Sequence, residues 1–193
     1  MWVALLPAAY LLGMFPSAAL VARANGIDIT TFGSGNPGAS NVTRALGWRK
    51  GIWVFVLDAL KGAIAAGLGL LVDGRPAAYW LGAAAILGHV FPIISRFRGG
   101  KGVATGAGVM VVLHPFVTAG LAVVWIVLSR LTSKASIASI AVIVLLPVGL
   151  LASGAPGWEL AATIGLCALV MARHLGNLKR LVTRKEPKLS SST

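Results

Sequence analysis

Six apolar runs, each cut off by a polar segment, restrict this chain to very few folds. They cover residues 2–22, 52–72, 77–95, 103–128, 136–152 and 160–172. An α-helix needs about 20 apolar residues to cross the ~30 Å hydrocarbon core of a bilayer, where every backbone polar group must find its partner inside the protein. The composition agrees. Of the 193 residues 57% are hydrophobic and 11% charged, against roughly 25% charged in a soluble domain. A soluble protein is excluded, and an all-α polytopic membrane protein is expected. No basic residue precedes the first run and no small-residue cleavage site follows it, so it reads as a retained span. The lone cysteine, Cys167, excludes an intrachain disulfide and reads as a small buried hydrophobe.

The charges orient the spans. Seventeen Lys+Arg against five Asp+Glu give a net charge of +12, and the cations gather at 23–61, 96–101, 130–134 and 173–188. Lys and Arg near span ends stay in the cytoplasm, so the chain must cross an even number of times between consecutive clusters. The run 103–128 looks like a single span and breaks that parity. His114-Pro115 in its middle restores it, because proline interrupts a helix and allows two short helices to enter and return. Seven transmembrane helices follow, some of them short, with the N-terminus outside, the C-terminus cytoplasmic and Arg75 the only cation outside. Residues 1–182 read as one integral-membrane domain and 183–193 as a disordered basic and polar tail. Cations confined to span ends on one face have no need of nucleic acid as a partner; membrane lipid is the natural one.

Two glycine-rich segments break the bland pattern. Gly99-Gly-Lys-Gly102 sets Lys101 among glycines at a helix start, where unpaired backbone N–H groups cradle a phosphate; a flexible turn is the structural alternative. In Gly33-Ser-Gly-Asn-Pro-Gly-Ala-Ser-Asn41 the glycines and proline hold the chain out of a helix as far as Gly38. A helical turn from Ala39 then puts Ser40 and Arg44 on one face. Hydroxyl, amide and guanidinium converge there, as an anionic oxygen cluster requires. Ser34 or Asn36 would serve equally as an ordinary helix cap.

A third polar group, Arg173-His174 with Asn177, lies at the end of the last run. Asp58 and Lys61, three apart, read as an intramembrane ion pair that neutralises itself and locks helices. His89 is open between a functional and a structural role. Ser136 and Ser139 donate either to a ligand or to a helix carbonyl. His114, at the far turn, is assigned no chemistry. No His/Cys/Glu cluster has metal-ligand spacing, and neither metal nor cofactor is called for.

Together these segments resemble the bacterial acyl-phosphate:glycerol-3-phosphate acyltransferase family. The likeness runs from Leu11-Leu-Gly13 to Asn177. It is carried by Gly33-Ser-Gly-Asn-Pro-Gly-Ala-Ser-Asn-Val-Thr-Arg-Ala-Leu-Gly47, Leu57-Asp-x-x-Lys-Gly62, Gly88-His-x-Phe-Pro92, Phe97-Arg-Gly-Gly-Lys-Gly-Val-Ala-Thr105, Ser136-Ile-Ala-Ser139, and Arg173-His174 with Asn177. The resemblance implies seven helices with the active site at the cytoplasmic face of the bacterial inner membrane. It implies catalytic roles for Ser34, Arg44, Lys101, His174 and Asn177. Gly33, Gly35, Asn36, Ser40, Asn41, His89, Gly99, Gly100, Gly102, Thr105, Ser136 and Ser139 become candidate substrate-binding positions. Three departures stand out: Ser40 where the family has Thr, Met14 where a Ser is common, and Leu175-Gly176 in place of a charged pair.

The implied reaction moves an acyl group from acyl phosphate to the 1-position of glycerol 3-phosphate, giving 1-acylglycerol 3-phosphate and inorganic phosphate. An acyl phosphate is an activated mixed anhydride, so no nucleophilic side chain is needed. Cations and backbone N–H groups orient the anions and stabilise charge. No obligatory protein partner is implied. The competing reading is a small transporter or channel for a phosphate-containing anion, which would carry its ligands near midplane.

Overall fold

The computed structural model describes residues 2–189. Among these the regular structure is entirely helical, and the chain divides into two compact units, Met1–Leu113 and His114–Thr193, within the stretch read as one domain. The division falls at the predicted break: His114 has φ −140° and ψ 66°, and Pro115 opens the next helix, where its missing N–H costs nothing.

The first unit holds α1 (Leu6–Gly13), α2 (Ser17–Arg23), α3 (Ala39–Leu46), α4 (Trp48–Val90) and α5 (Val103–Leu113). α4 is two arms rather than one rod. Asp73 (φ −153°, ψ 27°) and Gly74 (φ 73°, ψ −160°) are non-helical, the left-handed φ being one that glycine adopts without penalty. A Cβ on Gly69 would strike the backbone of Ala77 and Ala78. In a straight helix Gly69 and Ala78 would stand about 13 Å apart, so the chain reverses at the turn and the arms run side by side.

Small residues let the other helices approach as closely. A Cβ on Gly62 would collide with the Thr105 carbonyl, one on Gly108 with Ala59, one on Gly13 with Ala85 and one on Gly88 with Tyr10. In lipid, where no hydrophobic force joins helices, such contacts supply the packing. They hold α5 and α1 against α4. The reversal places His89 and the glycine-rich loop at one end of this unit. The Asp73–Gly74 turn lies at the other, with Arg75 Nη1 donating to the Leu113 carbonyl at 3.1 Å.

The second unit holds α6 (Pro115–Thr132), α7 (Ala135–Ala152), α8 (Gly157–Ala172) and the short α9 (Leu175–Val182), bent 55° from α8. At one end His114 Nε2 lies 2.8 Å from Oε2 of the buried Glu159. At the other end residues 183–189 do not form the loose tail expected of them. Glu186 is buried and the Leu189 amide donates to the Ser133 carbonyl. Residues 190–193 lie outside the described part.

Among the described residues four helical stretches are long and apolar enough to cross a membrane, or five counting the bent α8–α9 pair, with α5 a shorter apolar helix. The longest of the four, Trp48–Ser95, contains both arms of α4. α6, expected to be one of two short helices, is 18 residues long.

Candidate functional site

The first polar segment is organised by one side chain. Asn41, 1% exposed in α3, donates through Nδ2 to the carbonyls of Phe32 (2.8 Å) and Ile29 (3.2 Å). Its Oδ1 accepts from the Ser34 amide (3.2 Å) and from Arg44 Nη1 (3.5 Å). A primary amide has two hydrogens and one carbonyl oxygen to use, and all are committed. Asn41 therefore staples the loop and is not available to substrate, contrary to expectation. Gly33 (φ 56°) lies so close to Asn41 Oδ1 that a Cβ would clash. Neither Ser34 nor Asn36 caps α3, whose N-cap is Gly38 without a side-chain bond; the Ser34 hydroxyl instead accepts the Asn36 amide at 3.4 Å. Gly35 is left-handed at φ 66°. Ser40 and Arg44 are half-buried and share a face of α3. Upstream, the side chain and backbone of Thr30 both bond Asp28 and hold its exposed carboxyl below the usual range.

The second glycine-rich segment is seated on the end of α4. The Gly99 amide donates to Val90 O (3.2 Å) and the Gly100 amide to His89 O (3.0 Å). These two N–H groups, expected to cradle a phosphate, hold the loop down instead. A Cβ on Gly99 would meet the His89 and Val90 carbonyls, and one on Gly100 the His89 ring. Arg96 (φ 53°) and Phe97 (φ 62°) turn the chain through consecutive left-handed residues, a strained arrangement for side chains of that size. Lys101 is half-buried and leads through Gly102 into the first turn of α5, whose N–H groups have no intrahelical partner. Thr105 is fully buried, its Oγ1 has no hydrogen-bond partner among the described residues, and its backbone lies against Gly62.

His89, at the end of α4, points into a buried cluster with Lys61, Asp58 and Ser17. The sequence marks Asp58–Lys61 as a pair but gives no sign that a third ionisable group completes it.

In the second unit, Ser136, His174 and Asn177 are all buried at one end. His174 Nδ1 lies 2.8 Å from the Val170 carbonyl. Asn177 Nδ2 donates to Glu186 Oε1 at 2.6 Å, and Arg180 Nε to Oε2 at 2.8 Å. The buried Ser136 hydroxyl has no partner at full hydrogen-bond geometry yet is near enough to stabilise the Glu186 charge. Burial pushes the Glu186 carboxyl up. Ser136, Asn177 and Arg180 outweigh it and hold the group below its ordinary 4.5. Glu186 is the residue sequence reasoning missed; its signal is a lone acid among Lys179, Arg180, Arg184, Lys185 and Lys188. Ser139, a candidate ligand, accepts from Trp125 Nε1 at 3.1 Å and ties α7 to α6.

Comparisons with known proteins agree with one another. The family model described as glycerol-3-phosphate acyltransferase matches residues 3–184. A glycerol-3-phosphate acyltransferase of Bacillus cereus (strain G9842) is 41% identical over 187 residues, 95% of this chain and 93% of that one. One from Aquifex aeolicus (strain VF5) is 39% identical over 182 residues, 92% of this chain and 94% of its own. The crystal structure of PlsY (YgiH), an integral membrane glycerol 3-phosphate acyltransferase, in its glycerol 3-phosphate form, is similar with a TM-score of 0.92 and 38% identity. It covers 97% of this chain and 94% of that one. Its lysophosphatidic acid form gives a TM-score of 0.90 over the same shares.

Proposed function

Since this chain belongs to the glycerol-3-phosphate acyltransferase family and is an integral membrane enzyme of phospholipid synthesis, we propose that its acyl donor is acyl phosphate and its acceptor the 1-hydroxyl of glycerol 3-phosphate. The hydroxyl oxygen attacks the acyl carbonyl, the carbonyl carbon–phosphate oxygen bond breaks, and inorganic phosphate leaves. The product is 1-acylglycerol 3-phosphate. The glycerol 3-phosphate and lysophosphatidic acid forms of the solved relative support acceptor and product.

The observation that carries this reading is the convergence at Asn41 Oδ1 of the Ser34 amide and the Arg44 guanidinium. A cation is thereby held over a glycine-rich loop by a buried, fully satisfied anchor. Such preorganised charge is worth most when it needs no rearrangement as the reaction proceeds. Arg44 and Lys101 receive phosphate oxygens, with Ser34, Ser40, Gly102 and the first turn of α5 around them. Arg44 suits the task through its planar fork and Lys101 as a point charge.

Ser136, His174 and Asn177 are the candidates of the second unit. A carbonyl only accepts, so the contact with Val170 requires the hydrogen of neutral His174 to sit on Nδ1 and leaves the ring's lone pair on Nε2. His174 Nε2 is thus suited to take the proton of the attacking hydroxyl.

The charge pattern supports seven helices in a bacterial inner membrane, N-terminus outside and C-terminus inside, with the active site facing the cytoplasm. Cysteine-accessibility mapping that places residues 130–134 outside contradicts that topology. The donor is tested with purified protein in phospholipid nanodiscs, given labelled glycerol 3-phosphate and either a long-chain acyl phosphate or the corresponding acyl thioester. Lysophosphatidate is expected from the acyl phosphate alone. Equal turnover with the thioester overturns the assignment.

A further inference from the structure

Between the end of α4 and the glycine-rich loop, residues 91–98 carry a surface patch that the reaction above does not use. Ile93, Ile94 and Phe97 are 60%, 64% and 58% exposed, and Arg96 and Arg98 are exposed beside them. Large apolar side chains scattered singly over a surface need no explanation, but a cluster of them in one short segment marks a contact with something apolar.

The segment is built to hold them outward. The amides of Ser95 (to Pro92 O, 3.2 Å), Arg96 (to Ile93 O, 3.0 Å), Phe97 (to Pro92 O, 2.9 Å) and Arg98 (to Ser95 O, 3.1 Å) donate within it, and those of Gly99 and Gly100 donate to the end of α4. Ser95 Oγ donates to Arg98 O at 3.1 Å, and Tyr10 Oη of α1 to Phe91 O at 2.6 Å. Every N–H from Ser95 to Gly100 is thus satisfied inside the protein, the condition under which backbone can leave water.

The position suits a bilayer boundary. The arm of α4 from Arg75 to Val90 rises about 24 Å, short of the ~30 Å hydrocarbon core. With the Asp73–Gly74 turn at the far boundary, residues 93–98 fall where acyl chains give way to headgroups, and the two arginines bring positive charge to that depth. Among the described residues neither guanidinium has a partner, and no acidic residue lies between Asp73 and Glu159 in the chain. The occupant has to supply an apolar contact and an anion together, as an anionic phospholipid does.

We propose that residues 93–98 are a docking site for an anionic phospholipid of the surrounding leaflet: Ile93, Ile94 and Phe97 enter the acyl boundary, and Arg96 and Arg98 take the headgroup phosphate. The segment that leads into Lys101 is thereby fixed to the membrane surface. This requires only an integral membrane protein and is independent of the acyl donor.

The test uses full-length protein in phosphatidylcholine nanodiscs. Cys167→Ser removes the lone cysteine, and Ile94→Cys or Phe97→Cys then carries a bimane label. Quenching is compared for phosphatidylglycerol and phosphatidylcholine, each bearing a doxyl group high on its acyl chain. Both lipids are expected to quench and aqueous iodide only weakly. Phosphatidylglycerol is expected to act at a lower mole fraction, by about fivefold for each arginine engaged. Replacing both arginines, Arg96→Gln with Arg98→Gln, should erase that preference and leave quenching by both lipids. Strong iodide quenching with little from either lipid overturns the proposal, as does equal quenching by the two lipids while both arginines are present. Erasure of the preference by a long-chain acyl phosphate at a far lower mole fraction than the phosphatidylglycerol would give the site to that substrate and overturn it too. If one labelled variant does not fold, the other decides.

Discussion

His174 Nδ1 stands 2.8 Å from the carbonyl oxygen of Val170, one helical turn earlier, and in the neutral ring this contact puts the hydrogen on Nδ1 and the lone pair on Nε2. His174→Asn can keep a donor near the Nδ1 position but has no base at Nε2. Its kcat is expected to fall about 10²-fold or more, the usual share of a positioned acid or base, with KM for glycerol 3-phosphate little changed. Steady-state kinetics check this. A kcat near wild type would transfer the proton to a substrate phosphate.

Asn41 anchors the first loop through four hydrogen bonds. Asn41→Ala leaves the Ile29 and Phe32 carbonyls and the Ser34 amide without this partner. A loss of about 2–4 kcal/mol is expected, with activity falling as Arg44 loses its support. Thermal unfolding in detergent measures the first effect and turnover the second.

The α4–α5 contact depends on Gly62, whose added Cβ would meet the Thr105 carbonyl; at Gly67 on the same arm there is nothing within 4 Å. Gly62→Ala should destabilise by about 1–3 kcal/mol, the scale of overpacking. Gly67→Ala should stay within about 0.5 kcal/mol of wild type. Equal effects in unfolding assays would refute the close approach.

Glu186 gives a pH signature. Its carboxyl sits below the ordinary 4.5 in the folded protein because Ser136, Asn177 and Arg180 outweigh the effect of burial. A depressed folded pKa means that the unfolded state binds the proton first as pH falls. The contribution is therefore fully present above 4.5 and is lost as pH drops through the lower folded value. Wild type should exceed Glu186→Gln in stability by a constant margin at neutral pH, and the margin should shrink in acid. A margin that grows in acid would contradict the assignment.

The apolar runs and their breaks were legible because they obey one-dimensional rules. Gly74 and Pro115 mark the turns at which α4 reverses and α6 begins. Arg44 and Lys101 stood out because topology explains a cation at a span end but not the glycines around it. Asn41, Gly99 and Gly100 were legible only as polar or small. Whether an amide faces a ligand or a neighbouring carbonyl depends on where the chain returns, and here the carbonyls of Ile29, Phe32, His89 and Val90 take them. Ser139 went to Trp125 for the same reason. Glu186 was hidden because a basic, proline-containing tail reads as disordered, and only the fold reveals that its one acid meets Asn177 and Arg180.

The most direct measurement counts products. Purified protein reconstituted in sealed phospholipid vesicles, given acyl phosphate and glycerol 3-phosphate, should release inorganic phosphate and 1-acylglycerol 3-phosphate in equal amounts. Arg44→Ala and Lys101→Ala should each lower that rate by about 10²-fold or more while remaining folded. Phosphate crossing the vesicle wall without lysophosphatidate, or full turnover in either variant, would contradict the account.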